Sequence, residues 1–237
     1  MTTASNSNAK TAATPNRLAE IFTSYYRSNQ WGDAETVSGV GSRLDSTANL
    51  RAHLPLLCEQ FEIKSILDAP CGDYNWFCHV ERGDMTYLGI DIVPELVEQN
   101  RKNYGDRNTE FINLDITRDP LPPADLIICR DLLAHLSFKD IGHIFENILN
   151  SDIKYLLLTH HHECNGNNDS YPGGYRPLNL ELFPFDFPDP LLAIDDWRED
   201  QTPRKMCLWE KQTINTELTE MTEVLSEIRS HVNKSDS

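Results

Sequence analysis

The stretch of sequence that decides the fold covers residues 63–73 and reads IKSILDAPCGD. It is a short apolar run followed by an acid and a glycine, and four more apolar runs alternate with helical patterns further along the chain. Strands that are apolar on both faces and separated by helices indicate a parallel sheet covered on both sides. The sequence therefore predicts a Rossmann-like α/β fold with a mostly parallel central sheet and helices on both faces. The predicted strands are 63–69, 86–92, 110–116, 125–130 and 154–159, with helices at 76–80, 95–104 and 139–151 and an edge strand at 205–210.

The segments around this sheet divide the chain into further predicted parts. Residues 1–15 are expected to be a disordered tail and residues 16–62 a helical cap. The Rossmann-like domain covers 63–211 and includes a long loop, 163–190, of the length that usually serves as a functional wall or lid. Residues 212–233 form an amphipathic helix that either packs on its own domain or joins two copies into a homodimer. Its apolar seam consists of Ile214, Leu218, Met221, Leu225, Ile228 and Val232.

Composition excludes several classes of function. The chain has 237 residues and a formal net charge of −16, so it repels nucleic-acid backbones. Its longest apolar runs are far shorter than the roughly 20 residues that span a bilayer, and no membrane partner is expected. The six cysteines never form a CxxC pair and lie mostly in apolar segments. They indicate reduced thiols and a cytoplasmic protein.

Acidic residues follow successive strands of the predicted sheet. Asp68, Asp91 and Asp115 end the first three strands, and Asp131 follows the fourth. Ligands bind beyond the carboxyl ends of parallel strands, so these acids are expected at one site. Asp91 is placed to accept hydrogen bonds from ribose hydroxyls, and Asp115 to meet the amine of an adenine. Each acid alone has the alternative role of capping a helix.

The turn after the first strand limits the choice of cofactor. It contains a single glycine, Gly72, instead of the three of a dinucleotide-binding fingerprint. An NAD-dependent oxidoreductase on a similar sheet is therefore the less favoured alternative. A non-catalytic cofactor-binding partner subunit is a further alternative.

Several motifs of the chain resemble those of the class I methyltransferases that use S-adenosylmethionine, in a subgroup with a DxPCGD first motif. They are Trp31 with SGVGS (38–42) and Arg51, DAPCGD (68–73), CRD (129–131) and RPLNL (176–180). The resemblance covers roughly residues 63–159 and implies the class I methyltransferase fold, S-adenosyl-L-methionine as cofactor and methyltransferase activity. It implies a cofactor site formed by Trp31, Ser42, Asp68, Pro70, Cys71, Gly72, Asp91, Ile92, Asp115, Ile116 and Arg130.

The reaction expected is methyl transfer to an O or N atom of a small-molecule acceptor, such as a metabolite, natural product, small peptide or sugar. A hydroxyl or protonated amine must lose a proton, so a base is needed. Asp131, His135 and His160 are the candidates. His135 follows Asp131 by four residues, which puts both on one face if the segment is helical. Its alternative role is to pack on that helix.

Residues near the long loop are candidates for acceptor binding. In the run 160–162 of three histidines, an extended chain directs at most His160 and His162 the same way. A metal site completed by Glu163 or Asp169 is an alternative, but the spacing matches no standard zinc site and no metal is expected. Arg176 could clamp a carboxylate or phosphate, or else tie the loop to nearby acids. The predicted acceptor-binding residues are His162, Tyr175, Arg176 and Asn179.

Overall fold

The computed structural model describes residues 16–199, 202–221 and 224. The predicted tail, 1–15, lies outside the described residues, and so do Leu225, Ile228 and Val232 of the predicted C-terminal seam. The first part of that seam is described, and Ile214, Leu218 and Met221 are buried in the main hydrophobic core. These three residues pack on their own chain, and a homodimer through the helix stays a prediction.

A seven-stranded sheet forms the centre of the molecule in the order β3-β2-β1-β4-β5-β7-β6. Strands β1 to β5 are parallel, and β7 runs antiparallel to both β5 and β6. The predicted mostly parallel sheet is confirmed. The strands are β1 (Ser65–Asp68), β2 (Thr86–Asp91), β3 (Thr109–Asn113), β4 (Leu126–Cys129), β5 (Tyr155–His160), β6 (Leu192–Asp195) and β7 (Lys205–Glu210).

Strand β6 was not predicted, because only Ile194 of its four residues is buried and an edge strand of this length has no clear alternation of apolar residues. The helices of the cap and of the central domain match the predicted helical patterns, except that residues 76–80 contain only a 3₁₀ turn, Phe77–His79. The helices are α1 (Arg17–Ser28), α2 (Ala48–Gln60), α3 (Pro94–Tyr104) and α4 (Phe138–Leu149). Residues 215–221 of the predicted C-terminal segment are also helical.

The sheet separates two hydrophobic cores because successive side chains of a strand point to opposite faces. In β5, Leu156 and Leu158 join the core beneath α4, whereas Leu157 joins the core beneath α2. All six residues of β5 are buried, as expected for a central strand covered on both faces. Each fully buried leucine contributes about 1.5–3 kcal/mol, so the two cores fix the strand ends that carry the acids.

Among the described residues, no helix is both long and apolar enough to pass through a membrane.

Candidate active site

A cavity of about 1090 Å³, including its part open to solvent, lies at the carboxyl ends of β1 to β4. Residues of the strand ends and residues of the cap line it together. All the residues proposed from the sequence for the cofactor line this one cavity. They are Trp31, Ser42, Asp68, Pro70, Cys71, Gly72, Asp91, Ile92, Asp115, Ile116 and Arg130.

Asp68 ends β1 and is the most deeply buried acid of the cavity. Its Oδ2 accepts a hydrogen bond of 2.7 Å from the hydroxyl of Tyr87. Its Oδ1 is buried and has no hydrogen-bond partner among the described residues. Burial raises the pKa of this carboxyl to about 7, although Tyr87 and Arg130 favour its ionised form. A buried acceptor oxygen on a cavity wall is suited to a hydrogen-bond donor or a cation of a ligand.

Asp91 ends β2 and is held by backbone amides. Its Oδ2 accepts a hydrogen bond from Gly72 N at 3.2 Å and its Oδ1 accepts one from Val93 N at 3.0 Å. Gly72 has φ +54°, a conformation that glycine adopts without strain. Burial raises the pKa of Asp91 to about 6, although the backbone hydrogen bonds lower it. Each carboxylate oxygen keeps capacity for a further donor.

Asp115 follows β3 and joins the sheet edge to the cap. Its Oδ1 accepts hydrogen bonds from the amide of Thr117 at 2.9 Å and from the hydroxyl of that residue at 2.6 Å. Its Oδ2 accepts one from the side-chain amide of Asn16 at 2.8 Å. Asn16 is also the N-cap of α1, so the start of the cap helix is attached directly to the third acid.

The cap is held over the cavity by Asp73, a residue of the first motif that the sequence analysis did not assign. The carboxylate of Asp73 accepts hydrogen bonds from Thr36 Oγ1, Val37 N and Ser38 Oγ at 2.8–3.0 Å. Helix α1 adds apolar lining that was also missed, because an amphipathic pattern does not show what its apolar face covers. The additional lining residues of the cap are Leu18, Phe22, Tyr26, Val37 and Ser38.

A cluster of two arginines and two aspartates, of which only Asp131 is partly exposed, lies at the end of β4. Arg130 Nε is 2.9 Å from Asp196 Oδ2, and Arg204 Nε is 3.2 Å from Asp131 Oδ1 and 3.4 Å from Asp196 Oδ2. The cluster is electrically balanced, as buried charges require. Asp196 and Arg204 follow β6 and precede β7, so no local motif connects them with the first four strands.

Asp131 lines the cavity, as predicted, but it is a poor base. Burial favours its neutral form, yet Arg204 and Arg130 outweigh that effect and hold the pKa of Asp131 below its ordinary value. The residue has φ +56°, a strained conformation for a non-glycine residue, and its amide donates to Thr159 Oγ1 at 2.8 Å. Asp131 is therefore an oriented carboxylate that stays ionised at neutral pH.

His135 lies beside the cavity rather than in its wall. Its ring is 6.1 Å from that of Trp31, which lines the cavity. The prediction that Asp131 and His135 share a helix face is wrong, since the chain forms only a 3₁₀ turn over Leu133–His135. His135 Nδ1 is 2.8 Å from Gly174 O, and a carbonyl oxygen can only accept, so Nδ1 carries the hydrogen and Nε2 the lone pair. Burial lowers the pKa of His135, which keeps the ring neutral at pH 7.

His160 is not placed as a catalytic base. It is 1% exposed, does not line the cavity, and its Nδ1 accepts a hydrogen bond from Leu180 N at 3.1 Å. Burial lowers its pKa to about 4. The rings of His160 and His162 are stacked at 6.4 Å, which confirms that the two point the same way.

Within the described residues, no group of three or more His, Cys, Asp or Glu side chains is arranged to hold a metal ion.

Two of the predicted acceptor-binding residues hold the long loop instead. The guanidinium of Arg176 donates to the carbonyls of Leu133, Leu136 and Asn168 at 2.7–2.9 Å. Asn179 is buried and donates to Cys164 O at 2.9 Å. Three of the five N–H donors of Arg176 are bound to backbone carbonyls, so its main contacts attach the loop to the turn at 133–136.

The other two predicted acceptor-binding residues differ in their position. His162 is half-buried and lies near Glu163, away from the cavity lining. Tyr175 is 54% exposed, and its ring lies 5.5 Å from that of His135. Of the four, Tyr175 is the one whose ring adjoins that of His135, which in turn lies 6.1 Å from the ring of Trp31.

Comparison with known families assigns the domain. A family model described as a methyltransferase domain matches residues 66–151, which include β1 to β4 and the acids at their ends. This part of the chain is therefore identified as a methyltransferase domain. A search of curated proteins found no match.

Solved structures of methyltransferases share this fold at low sequence identity. A SAM-dependent methyltransferase from Leishmania major is 15% identical, with 82% of this chain and 87% of that chain covered, at a TM-score of 0.59. Magnesium protoporphyrin IX methyltransferase from Synechocystis PCC 6803 is 14% identical, with 84% and 99% covered and a TM-score of 0.54. Human N-acetylserotonin methyltransferase is 19% identical at a TM-score of 0.44, with 69% of this chain and 51% of that longer chain covered.

The chemistry of the cavity fits the methyl donor. S-adenosylmethionine has a cationic sulfonium, an ammonium and a ribose, and the cavity offers the unpartnered Oδ1 of Asp68 and the remaining acceptor capacity of Asp91. A Cβ at residue 72 would collide with the hydroxyl of Ser38, so only glycine fits where the first turn meets the cap.

Proposed function

We propose that this protein is a methyltransferase that uses S-adenosylmethionine, that it acts on an O or N atom of a small-molecule acceptor, and that His135 is the base. When bound, S-adenosylmethionine supplies an electrophilic methyl carbon. His135 carries the proposal because it is the neutral imidazole beside the cavity, with its tautomer fixed by Gly174 O and its Nε2 able to accept a proton. A positioned base contributes typically 10²–10⁴-fold to such a reaction.

The donor end of the cavity is proposed to bind the cofactor through the strand-end acids. Asp91 would accept from the ribose hydroxyls, Asp115 would lie beside the adenine with Ile116, and Asp68 would attract the cationic amino-acid part. The hydrogen bonds of Gly72 and Val93 to Asp91 support the first assignment, because they fix the carboxylate toward the cavity. Trp31 and Ser42 would cover the donor from the cap.

The acceptor is proposed to enter next to Asp131 and His135, with Tyr175 at the entrance. A carboxylate at this position disfavours an anionic acceptor, and aromatic rings favour a planar or apolar portion. Asp131 would orient the attacking group by accepting its hydrogen bond. The net charge of −16 supports a small molecule over a nucleic acid, and the six free cysteines support a cytoplasmic location.

Transfer of radioactive methyl groups tests the proposal. The purified chain is incubated with [methyl-³H]S-adenosylmethionine and a cell extract separated into small-molecule, protein and nucleic-acid fractions. We expect label in the small-molecule fraction. His135→Gln should bind S-adenosylhomocysteine like the wild type and lower the transfer rate at least about 100-fold. His53→Gln, a change on the exposed surface, is the matched control.

Three outcomes would contradict the proposal. Label found only in the protein or nucleic-acid fraction would refute the acceptor class. Label transfer that appears only after addition of a second protein would favour the alternative of a partner subunit. Unchanged transfer by His135→Gln would remove His135 as the base.

A further inference from the structure

Arg130 is held in one orientation on three sides. Its Nε and Nη2 donate to the two carboxylate oxygens of Asp196 at 2.9 and 3.1 Å, and Nη2 also donates to Gly41 O at 2.7 Å. Its guanidinium carbon lies 5.6 Å from the centre of the Trp76 ring. The side chains of Arg130 and Asp196 are 4% and 0% exposed. A guanidinium fixed by a planar carboxylate keeps little freedom to reorient.

The remaining edge of this guanidinium is available to a ligand. Arg130 has five N–H groups, and those on Nη1 have no hydrogen-bond partner among the described residues. Nη1 lies 3.4 Å from Asp131 Oδ2, an ion-pair contact without hydrogen-bond geometry. Arg130, Trp76 and Ser42 all line the cavity. The fixed cation therefore presents donors to the same cavity that contains the acids.

The cavity offers groups of opposite charge to the ammonium and the carboxylate of an amino acid. Asp68 offers an unpartnered oxygen for an ammonium group, whereas Arg130 is the cavity-lining cation for a carboxylate. We infer that Asp196 is a positioning residue, which holds Arg130 so that its Nη1 edge binds the carboxylate of the amino-acid part of the methyl donor. This inference rests on the proposed donor site. Asp196 itself does not line the cavity and acts through Arg130.

The alternative is that Asp196 only neutralises buried charge and attaches the β6–β7 hairpin to the sheet. Two ligands separate these roles. S-adenosylhomocysteine carries the amino-acid part, and 5′-methylthioadenosine has the same adenosine without it. A residue that acts on the carboxylate affects the first ligand selectively, whereas a damaged cavity weakens both.

Calorimetric titration of the full chain with both ligands tests the inference. We expect Asp196→Asn to weaken binding of S-adenosylhomocysteine at least about tenfold and binding of 5′-methylthioadenosine less than about twofold. Asp195→Asn is the matched control, since Asp195 is the adjacent residue, 66% exposed, and contacts only Lys205 as an ion pair among the described residues. It should change neither affinity.

A second variant keeps the test decisive if Asp196→Asn does not fold. Arg130→Lys keeps the charge and loses the planar fork, so it should show the same selective loss. An equal loss for both ligands, or none, in the folded variants would overturn the inference. If the wild type binds 5′-methylthioadenosine but not S-adenosylhomocysteine, the carboxylate site is wrong. If it binds neither ligand, the proposed donor site itself fails.

Discussion

The protonation of Asp68 should control the affinity for the methyl donor. The pKa of its carboxyl is raised to about 7 by burial, and a cationic ligand group requires the ionised form. At pH 5.5 only about one molecule in 30 carries ionised Asp68, so the dissociation constant should be about 30-fold higher than above pH 8, a cost of ~2 kcal/mol. Asp91, with a pKa of about 6, should add about fourfold at the same pH.

The linkage between protonation and ligand binding sets the direction of the pH dependence. Both acids have pKa values raised above those of free carboxyls. The ammonium group beside Asp68 and the ribose hydroxyls that donate to Asp91 favour the ionised forms, so binding releases protons and strengthens as the pH rises through 6 and 7. Calorimetry with S-adenosylhomocysteine between pH 5.5 and 8, in two buffers of different ionisation enthalpy, measures both the affinity and the proton release. Asp68→Asn should bind more weakly above pH 7 and lose the steeper part of the pH dependence. A pH-independent affinity in the wild type, or an unchanged pH dependence in Asp68→Asn, would refute this reasoning.

Two further substitutions test the donor end of the cavity. Asp91→Ala should weaken S-adenosylhomocysteine binding at least about tenfold, ~1.4 kcal/mol, in calorimetry. Asp106→Ala, a change of an exposed residue, should leave the affinity unchanged. An affinity of Asp91→Ala equal to that of the wild type would exclude Asp91 from the site. Asp73→Ala should release residues 36–38 from the first motif at a cost of about 1–3 kcal/mol, seen as faster hydrogen exchange there and weaker cofactor binding. Unchanged exchange would show that other contacts hold the cap.

The donor side of the cavity could be predicted because its residues follow the strands directly. In a parallel sheet the carboxyl ends meet at one edge, so Asp68, Asp91 and Asp115 come together whatever the loops between them do. Their positions along the chain are sufficient to predict this arrangement. Asn16 and Asp196 contact the cavity-lining residues Asp115 and Arg130, but they come from segments whose paths depend on tertiary packing. No spacing in the sequence connects those two residues with the sheet edge.

The histidines show how a local pattern can be misread. His160 ends a strand at the ligand edge, as the acids do, but its side chain points to the face covered by Leu180 and Trp209. A strand places alternate residues on opposite faces, so being at the edge does not put a side chain in the cavity. His135 was expected on a helix and lies on a 3₁₀ turn, whose direction depends on the loop that packs against it.

The acceptor side could not be predicted because the long loop must satisfy its own backbone. A segment packed onto the sheet edge leaves carbonyl and amide groups without water, and each needs a partner. Asn167 donates to the carbonyls of Asn179, Leu182 and Phe183 at 2.7–3.1 Å, and Arg176 donates to the turn that carries His135. Polar loop residues that resemble binding residues in the sequence are thereby used to shape the wall. The proposed acceptor site therefore uses side-chain groups that the loop backbone does not occupy, namely Nε2 of His135 and the exposed ring of Tyr175.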